Sequence, residues 1–166
     1  KACHEPGSGK MLGTQQEVCL RCHAGMKAEM KDGHLHPALE GEAACTSCHQ
    51  PHTARFEGLL PTSRDALCAR CHEENAKSNA TAEHVHPPTA TGTCTICHDP
   101  HVMTPSGGMT FAERRCATCH AAGSKDHVNH PMGEGVEDPR TGGMLYCASC
   151  HNPHGSVNQK MLTERN

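Results

Sequence analysis

The sequence predicts a chain that is mostly coil with short α-helices and little or no β-structure, and three observations lead to this fold class. First, its 166 residues include no Trp, one Tyr and two Phe, so aromatic side chains contribute little to a core. Second, 13 Cys and 16 His dominate the composition. Third, one short motif recurs at a regular interval. A bare polypeptide of this composition is too polar to fold, so another component must supply its interior.

The recurring motif is Cys-x-x-Cys-His, which occurs intact six times in two alternating types. Type A motifs start at 19, 68 and 116, spacings of 49 and 48 residues, and type B motifs start at 45, 94 and 147. Each type B motif continues as His-x-Pro-His and is preceded by a His-Pro pair. Cys3-His4 aligns with the end of a type B motif whose first Cys we expect just before Lys1. The predicted organisation is a partial repeat at 1–13, three full repeats of ~49 residues at 14–61, 62–109 and 110–161, and the start of a further repeat or a tail at 162–166.

The two motif types predict different local structure. Each type A motif lies in a helix-like segment that starts with a capping pattern. The candidate caps are Thr14 with Glu17, Thr110 with Glu113, and Thr62 or Ser63. In type B motifs a Pro two residues after the motif His stops a helix, so we expect a single helical turn at most.

Cys-x-x-Cys-His is the attachment signature of c-type haem. Residues i, i+3 and i+4 share one face of a helical turn, so two thiols reach the porphyrin edge while the imidazole reaches the iron. A zinc site would instead need a closed set of four ligands. A disulfide framework fits an odd Cys count poorly and leaves the following His unexplained. We expect seven covalently bound haem c groups, the first on a truncated motif, attached through Cys3, Cys19, Cys22, Cys45, Cys48, Cys68, Cys71, Cys94, Cys97, Cys116, Cys119, Cys147 and Cys150.

The histidines divide into motif residues and a recurring second set. The proximal iron ligands are expected to be His4, His23, His49, His72, His98, His120 and His151. The distal ligands are expected to be the His-Pro residues His36, His86 and His130 and the Pro-His residues His52, His101 and His154, two for the two haems of each repeat. Gly7 replaces the Pro-His histidine beside the first haem, so its distal ligand is expected from His34, from missing sequence or from a neighbouring chain.

At these residues the chain resembles the doubled-CxxCH family of multihaem c-type cytochromes. The resemblance rests on "CHQPH", "CHDPH", "CHNPHGS" and the His-Pro pair before each. It implies bis-His haems in close-packed chains, little regular secondary structure, and electron transfer outside the cytoplasm. The expected fold is therefore haem-organised, with tandem di-haem repeats that form a stacked haem chain. The chain departs from the family pattern at the truncated first motif, at Gly7 and in a longer loop before the last type B motif.

The expected function is electron transfer, as a carrier, a redox-complex subunit or an extracellular filament subunit, and not enzymatic catalysis. The alternative is a multihaem oxidoreductase, for which the first haem is the only candidate with an open iron position. The formal net charge of −3, made more negative by haem propionates, argues against a nucleic-acid partner. Other redox proteins or copies of the chain are the expected partners. No apolar stretch approaches a membrane span, and haem attachment after export predicts a periplasmic or cell-surface location.

Overall fold

A computed structural model describes residues 3–41, 44–105, 111–120 and 135–164. Its secondary structure in these ranges is short and separated by coil. The α-helices are α1 Gln15–Leu20, α2 Ala24–Asp32, α3 Arg64–Ala69, α4 Glu73–Thr81, α5 Pro87–Ala90, α6 Phe111–Cys119 and α7 Cys147–Cys150. The strands are β1 Gly33–Leu35 and β2 Val102–Pro105, and 3₁₀ turns lie at Pro37–Leu39, Cys94–Ile96 and Gln159–Met161. The prediction of mostly coil with short helices is confirmed, whereas the tandem-repeat architecture stays a prediction.

Local capping starts the type A helices. At α1 the Thr14 hydroxyl accepts from the Glu17 N–H at 3.2 Å, and the Glu17 carboxylate accepts from the Thr14 N–H at 2.8 Å. These bonds complete the predicted capping box and lower the pKa of Glu17. At α3 the Ser63 hydroxyl accepts from the Ala66 N–H at 3.4 Å, which makes Ser63 the cap. The third cap pair includes Thr110, which lies outside the described residues.

The first two type A segments each form two helices instead of one. Helix α1 ends at Leu20 and α2 begins at Ala24, while α3 ends at Ala69 and α4 begins at Glu73. The backbone of His23, with φ −97° and ψ 49°, lies outside the helical region. The backbone of His72, with φ −104° and ψ 47°, also lies outside it. The motif therefore closes one helix and its His opens the next.

The type B motifs form a single turn, as predicted. Residues 147–150 form the four-residue helix α7, Cys94–Ile96 is a 3₁₀ turn, and residues 44–48 form hydrogen-bonded turns. The following Pro lacks an N–H and stops the helix from continuing.

The chain divides into two compact units, one of Lys1–Leu67 with His98–Ser106 and one of Cys68–Cys97 with Gly107–Asn166. In the first unit β1 and β2 pair antiparallel, with His34 opposite Thr104. The buried apolar side chains of the described residues all belong to this unit: Val18, Leu39, Ala44 and Leu60. Among the described residues of the second unit no apolar side chain is buried. Polypeptide side chains alone therefore provide only a very small core.

Candidate haem-binding sites

Five of the six intact motifs share one hydrogen-bonded turn. In each, the N–H of the motif His donates to the carbonyl of the first motif Cys. The distances are 3.0 Å for His23, 2.9 Å for His49, His72 and His151, and 2.8 Å for His120. This i to i+4 bond brings the two thiols and the imidazole onto one side of the turn, as haem c attachment requires. None of the thirteen cysteines is paired in a disulfide.

Type A and type B motifs lie side by side within each unit. In the first unit the Gln15 amide donates to the Thr46 hydroxyl at 2.8 Å and accepts from the Thr46 N–H at 3.2 Å. Burial raises the pKa of the Cys45 thiol, and the adjacent Cys19 raises it further. In the second unit burial likewise raises the pKa of Cys116, with Cys147 beside it. Groups attached to these thiols would therefore start from neighbouring positions.

Among the described residues, three pairs of imidazole rings lie close together, with 16–30° between the ring planes. The ring centroids of His4 and His52 are 5.8 Å apart, with 30° between the ring planes. His49 and His101 are 5.9 Å apart at 16°, and His86 and His120 are 5.9 Å apart at 29°. Each pair joins one motif His with one His of the predicted distal set.

Two imidazoles that bound one metal ion through bonds of about 2 Å would have ring centroids roughly 6 Å apart, which matches these separations. The Nδ1 atoms of His4 and His86 are also buried without a hydrogen-bond partner among the described residues. The residues present therefore fit a bis-His haem.

Two type B motif histidines are held through Nδ1 by a returning turn. His49 Nδ1 lies 2.6 Å from the Gly58 carbonyl, and His151 Nδ1 lies 2.7 Å from the Lys160 carbonyl. Gly58 has φ +75° and Lys160 has φ +55°, a left-handed backbone that turns the chain back toward the motif. Because a carbonyl only accepts, each Nδ1 carries the proton and each Nε2 presents its lone pair to a metal.

The residue between the motif His and the Pro caps the Pro-His segment. The Asp99 carboxylate accepts from the N–H of His101 at 2.8 Å and from that of Val102 at 3.2 Å. The Asn152 side-chain oxygen accepts from the N–H of His154 at 3.0 Å. Asp99 also faces His101 Nδ1 at 3.8 Å. Polar residues recur at this position as Gln50, Asp99 and Asn152, a pattern that spacing alone does not connect to the histidines.

Burial lowers the pKa of two of the paired imidazoles, which favours their neutral form. It lowers the pKa of His101, an effect that Asp99 opposes and His49 reinforces. It lowers the pKa of His86 as well, with a further contribution from His120. A neutral imidazole is the form that binds a metal.

Other predicted distal ligands have different surroundings. His34 lies in β1, and His36 caps the 3₁₀ turn at Pro37–Leu39 because its Nδ1 accepts from the Ala38 N–H at 3.2 Å. His154 is half-buried behind its Asn152 cap. His130 lies outside the described residues. Within the described ranges no three metal-binding side chains cluster, as a zinc site would require.

Residues 136–145, before the last type B motif, form a hairpin in which the buried Asp138 pairs with the exposed Arg140. Asp138 is 2% exposed and donates its N–H to the Gly143 carbonyl at 2.6 Å. Its carboxylate accepts from Arg140 Nε and Nη2, each at 3.1 Å. Arg140 Nη2 also donates to the Ser149 carbonyl inside the motif. This pairing lowers the pKa of Asp138 to about 2. The network ties the hairpin to the motif, and no sequence signal indicated it beyond the loop's length.

The motif turns, the cysteines without disulfides and the paired imidazoles are the features of a multihaem c-type cytochrome. The family described as Doubled CXXCH motif matches residues 36–77 and 138–166. The chain is also 34% identical over 167 residues to the protein named Multiheme cytochrome MtrA of Shewanella baltica (strain OS185). That alignment covers 93% of this chain and 49% of the relative, so the chain spans about half the relative's length. By its motifs and by these matches, the chain is similar to the multihaem c-type cytochromes with doubled CXXCH motifs.

Proposed function

We propose that the chain transfers single electrons through closely spaced c-type haems that each have two axial histidines. The observation that carries this proposal is the set of three imidazole pairs, each with centroids 5.8 or 5.9 Å apart. When bound, haem iron supplies one-electron redox chemistry, and two axial protein ligands leave no position for a substrate.

The chain's own residues fix the position and the electronic character of each cofactor. In five of the six intact motifs one hydrogen-bonded turn carries both thiols and the imidazole, which would hold a haem without a deep pocket. The carbonyls of Gly58 and Lys160 hold the protons on His49 Nδ1 and His151 Nδ1, which makes the opposite nitrogens better donors. Two imidazole ligands favour lower potentials than a Met and His pair.

The finer role of the chain follows from the motif count and from chemistry. We propose seven haems, counted from the motifs, and a role as a carrier, a redox-complex subunit or a filament subunit. Redox proteins or copies of the chain are the proposed partners, and thioether formation after export favours the periplasm or the cell surface. In the part of the chain that the structure describes, no helix has the length and apolar character needed to cross a bilayer.

The enzyme alternative requires an iron with an open position, and the first haem was its only candidate. His52 lies 5.8 Å from His4, centroid to centroid, and so offers this haem a second imidazole. This placement favours electron transfer over catalysis.

The test is a spectroscopic titration of the purified holoprotein. The oxidised and the reduced forms receive cyanide and nitrite, and electron exchange with an electrode is recorded without substrate. We expect unchanged absorption spectra and reversible one-electron waves. A His52→Ala variant, which opens one iron position, is the positive control for cyanide binding. Cyanide binding to the parent protein, or catalytic nitrite current, would overturn the proposal.

A further inference from the structure

In each of the three imidazole pairs, the two histidines come from different repeats. His52 belongs to the type B motif at 45–49, yet it faces His4 of the preceding motif. His101 belongs to the type B motif at 94–98, yet it faces His49 of the motif at 45–49. In both pairs the Pro-His histidine lies about one repeat C-terminal to the motif histidine that it approaches. The sequence alone favoured the simpler arrangement, in which each repeat ligates its own two haems.

The second pair carries the inference furthest, because the Nδ1 atoms of both rings face acceptors. His49 Nδ1 lies 2.6 Å from the Gly58 carbonyl, and His101 Nδ1 faces Asp99 Oδ1 at 3.8 Å. The Gly58 carbonyl holds the proton on His49 Nδ1, so the Nε2 lone pair of that ring is available to a metal. The nearby Asp99 carboxylate favours a proton on the Nδ1 side of His101, which leaves Nε2 of that ring for the metal as well. The Asp99 cap fixes the backbone that carries His101, so this imidazole is positioned before any metal binds.

We infer that the Pro-His histidine of one type B motif is the distal ligand for the haem of the preceding type B motif. This inference rests on the proposed bis-His electron-transfer function and assigns its ligands. His52 serves the haem on His4, and His101 serves the haem on His49. In the second unit the His-Pro residue His86 serves the later type A haem on His120, from which its ring is 5.9 Å away.

This ligand exchange has a consequence for folding. A haem bound in this way joins two chain positions about one repeat apart, as a long-range cross-link would, and so closes a long loop. Successive repeats are then interlocked through their cofactors. Losing one distal ligand should loosen the segment between the two histidines, including its neighbouring haem motif.

The test is a set of combined variants of the full holoprotein, read by electron paramagnetic resonance and by counting cyanide-binding haems. The first substitution is His101→Ala. It is made in the parent, in a Cys45→Ser/Cys48→Ser background that lacks one haem, and in a matched Cys94→Ser/Cys97→Ser background that lacks another. Haem content is confirmed for each protein by mass.

We expect His101→Ala to create one high-spin, cyanide-binding haem in the parent and in the Cys94/Cys97 background, and none in the Cys45/Cys48 background. The reverse pattern would be a new high-spin haem in the parent and in the Cys45/Cys48 background but none in the Cys94/Cys97 background. That result would overturn the inference in favour of ligation within the repeat. No new high-spin haem in the parent would also overturn it. A parent protein without haem would instead refute the proposed function, so the two failures are distinguishable.

Two further comparisons guard against loss of folding and test the first pair. His101→Met should keep the haem low-spin and add one thioether-to-iron charge-transfer band, which is absent in the Cys45/Cys48 background; the band's persistence there would contradict the assignment. His52→Ala should create one high-spin haem, whereas His34→Ala should not remove the ligand of the first haem. A new high-spin haem in the His34→Ala holoprotein, with none in His52→Ala, would refute the pairing of His4 with His52.

Discussion

The charge of Asp99 should set the potential of one haem, and the chain offers a matched comparison for it. Asp99 and Asn152 occupy equivalent positions and make the same cap, to the N–H groups of His101 and His154. Asp99→Asn therefore removes a negative charge 3.8 Å from His101 Nδ1 and keeps an oxygen that can accept the capping bonds. Because a carboxylate stabilises the ferric state, its removal should raise the potential of the haem that His101 ligates.

The magnitude follows from the distance and the exposure. Two unit charges 3.8 Å apart interact by about 1 kcal/mol in water and about 4 kcal/mol at an effective dielectric constant of 20. The Asp99 side chain is 42% exposed and that of His101 is 29% exposed, so the effective value lies between these limits. At the iron, roughly twice as far away, the effect is ~0.5–2 kcal/mol, or ~20–90 mV for one electron.

The assay is a potentiometric titration of Asp99→Asn and of the reverse substitution Asn152→Asp, each against the parent. We expect one haem to rise in potential in Asp99→Asn and one to fall in Asn152→Asp, both less at high ionic strength. Low-spin spectra should be retained in both variants. A fall in potential in Asp99→Asn, or an equal shift of all haems, would refute the reasoning.

Three further predictions concern the backbone and the buried ion pair. Gly155→Ala should lower the free energy of unfolding by ~2–4 kcal/mol in chemical denaturation, because strain adds to overpacking: φ is +116° and the new Cβ would lie 2.6 Å from Ala82 Cβ. Lys160→Gly should raise that free energy by up to ~1 kcal/mol, because φ is +55°. Asp138 has a folded pKa of about 2, below its usual ~3.9, so its contribution to stability is full above pH ~4 and is lost as the pH falls toward 2; Asp138→Asn should flatten stability across that range in acid unfolding curves.

Each of these predictions has its own control. Gly7 has φ +78°, and no atom of another segment lies within 4 Å of the position that a Cβ would take, so Gly7→Ala should cost only the backbone strain, ~1 kcal/mol. Equal losses for Gly7→Ala and Gly155→Ala would exclude the close contact as a cause. A destabilised Lys160→Gly protein would contradict the left-handed backbone there. An Asp138→Asn protein with unchanged pH dependence would show that the ion pair does not stabilise the fold.

Sequence patterns identified the local features because the interactions that make them lie within a few residues. The capping box of Thr14 and Glu17 spans three residues, and the type B turns end at an adjacent Pro. The break at His23 was missed because helical periodicity continues through the motif. Its cause is the conformation of the motif His itself, which hydrophobic spacing does not report.

The non-local features needed the structure. The repeat identified His52 and His101 as ligand candidates, but spacing does not state which motif each one faces. The pairing of β1 with β2 and the ion pair of Asp138 with Arg140 likewise depend on how the chain turns back. One signal was available for the returning turn: "GLL" and "KML" follow two type B motifs, and their first carbonyls, those of Gly58 and Lys160, accept from the motif histidines.

Mass spectrometry of proteolytic peptides from the purified protein tests the central claim most directly. Each of the six Cys-x-x-Cys-His peptides and the Cys3-His4 peptide should carry the mass of one haem on its cysteines. Unmodified thiols, zinc-bound peptides or peptides joined by disulfides at these positions would contradict the account.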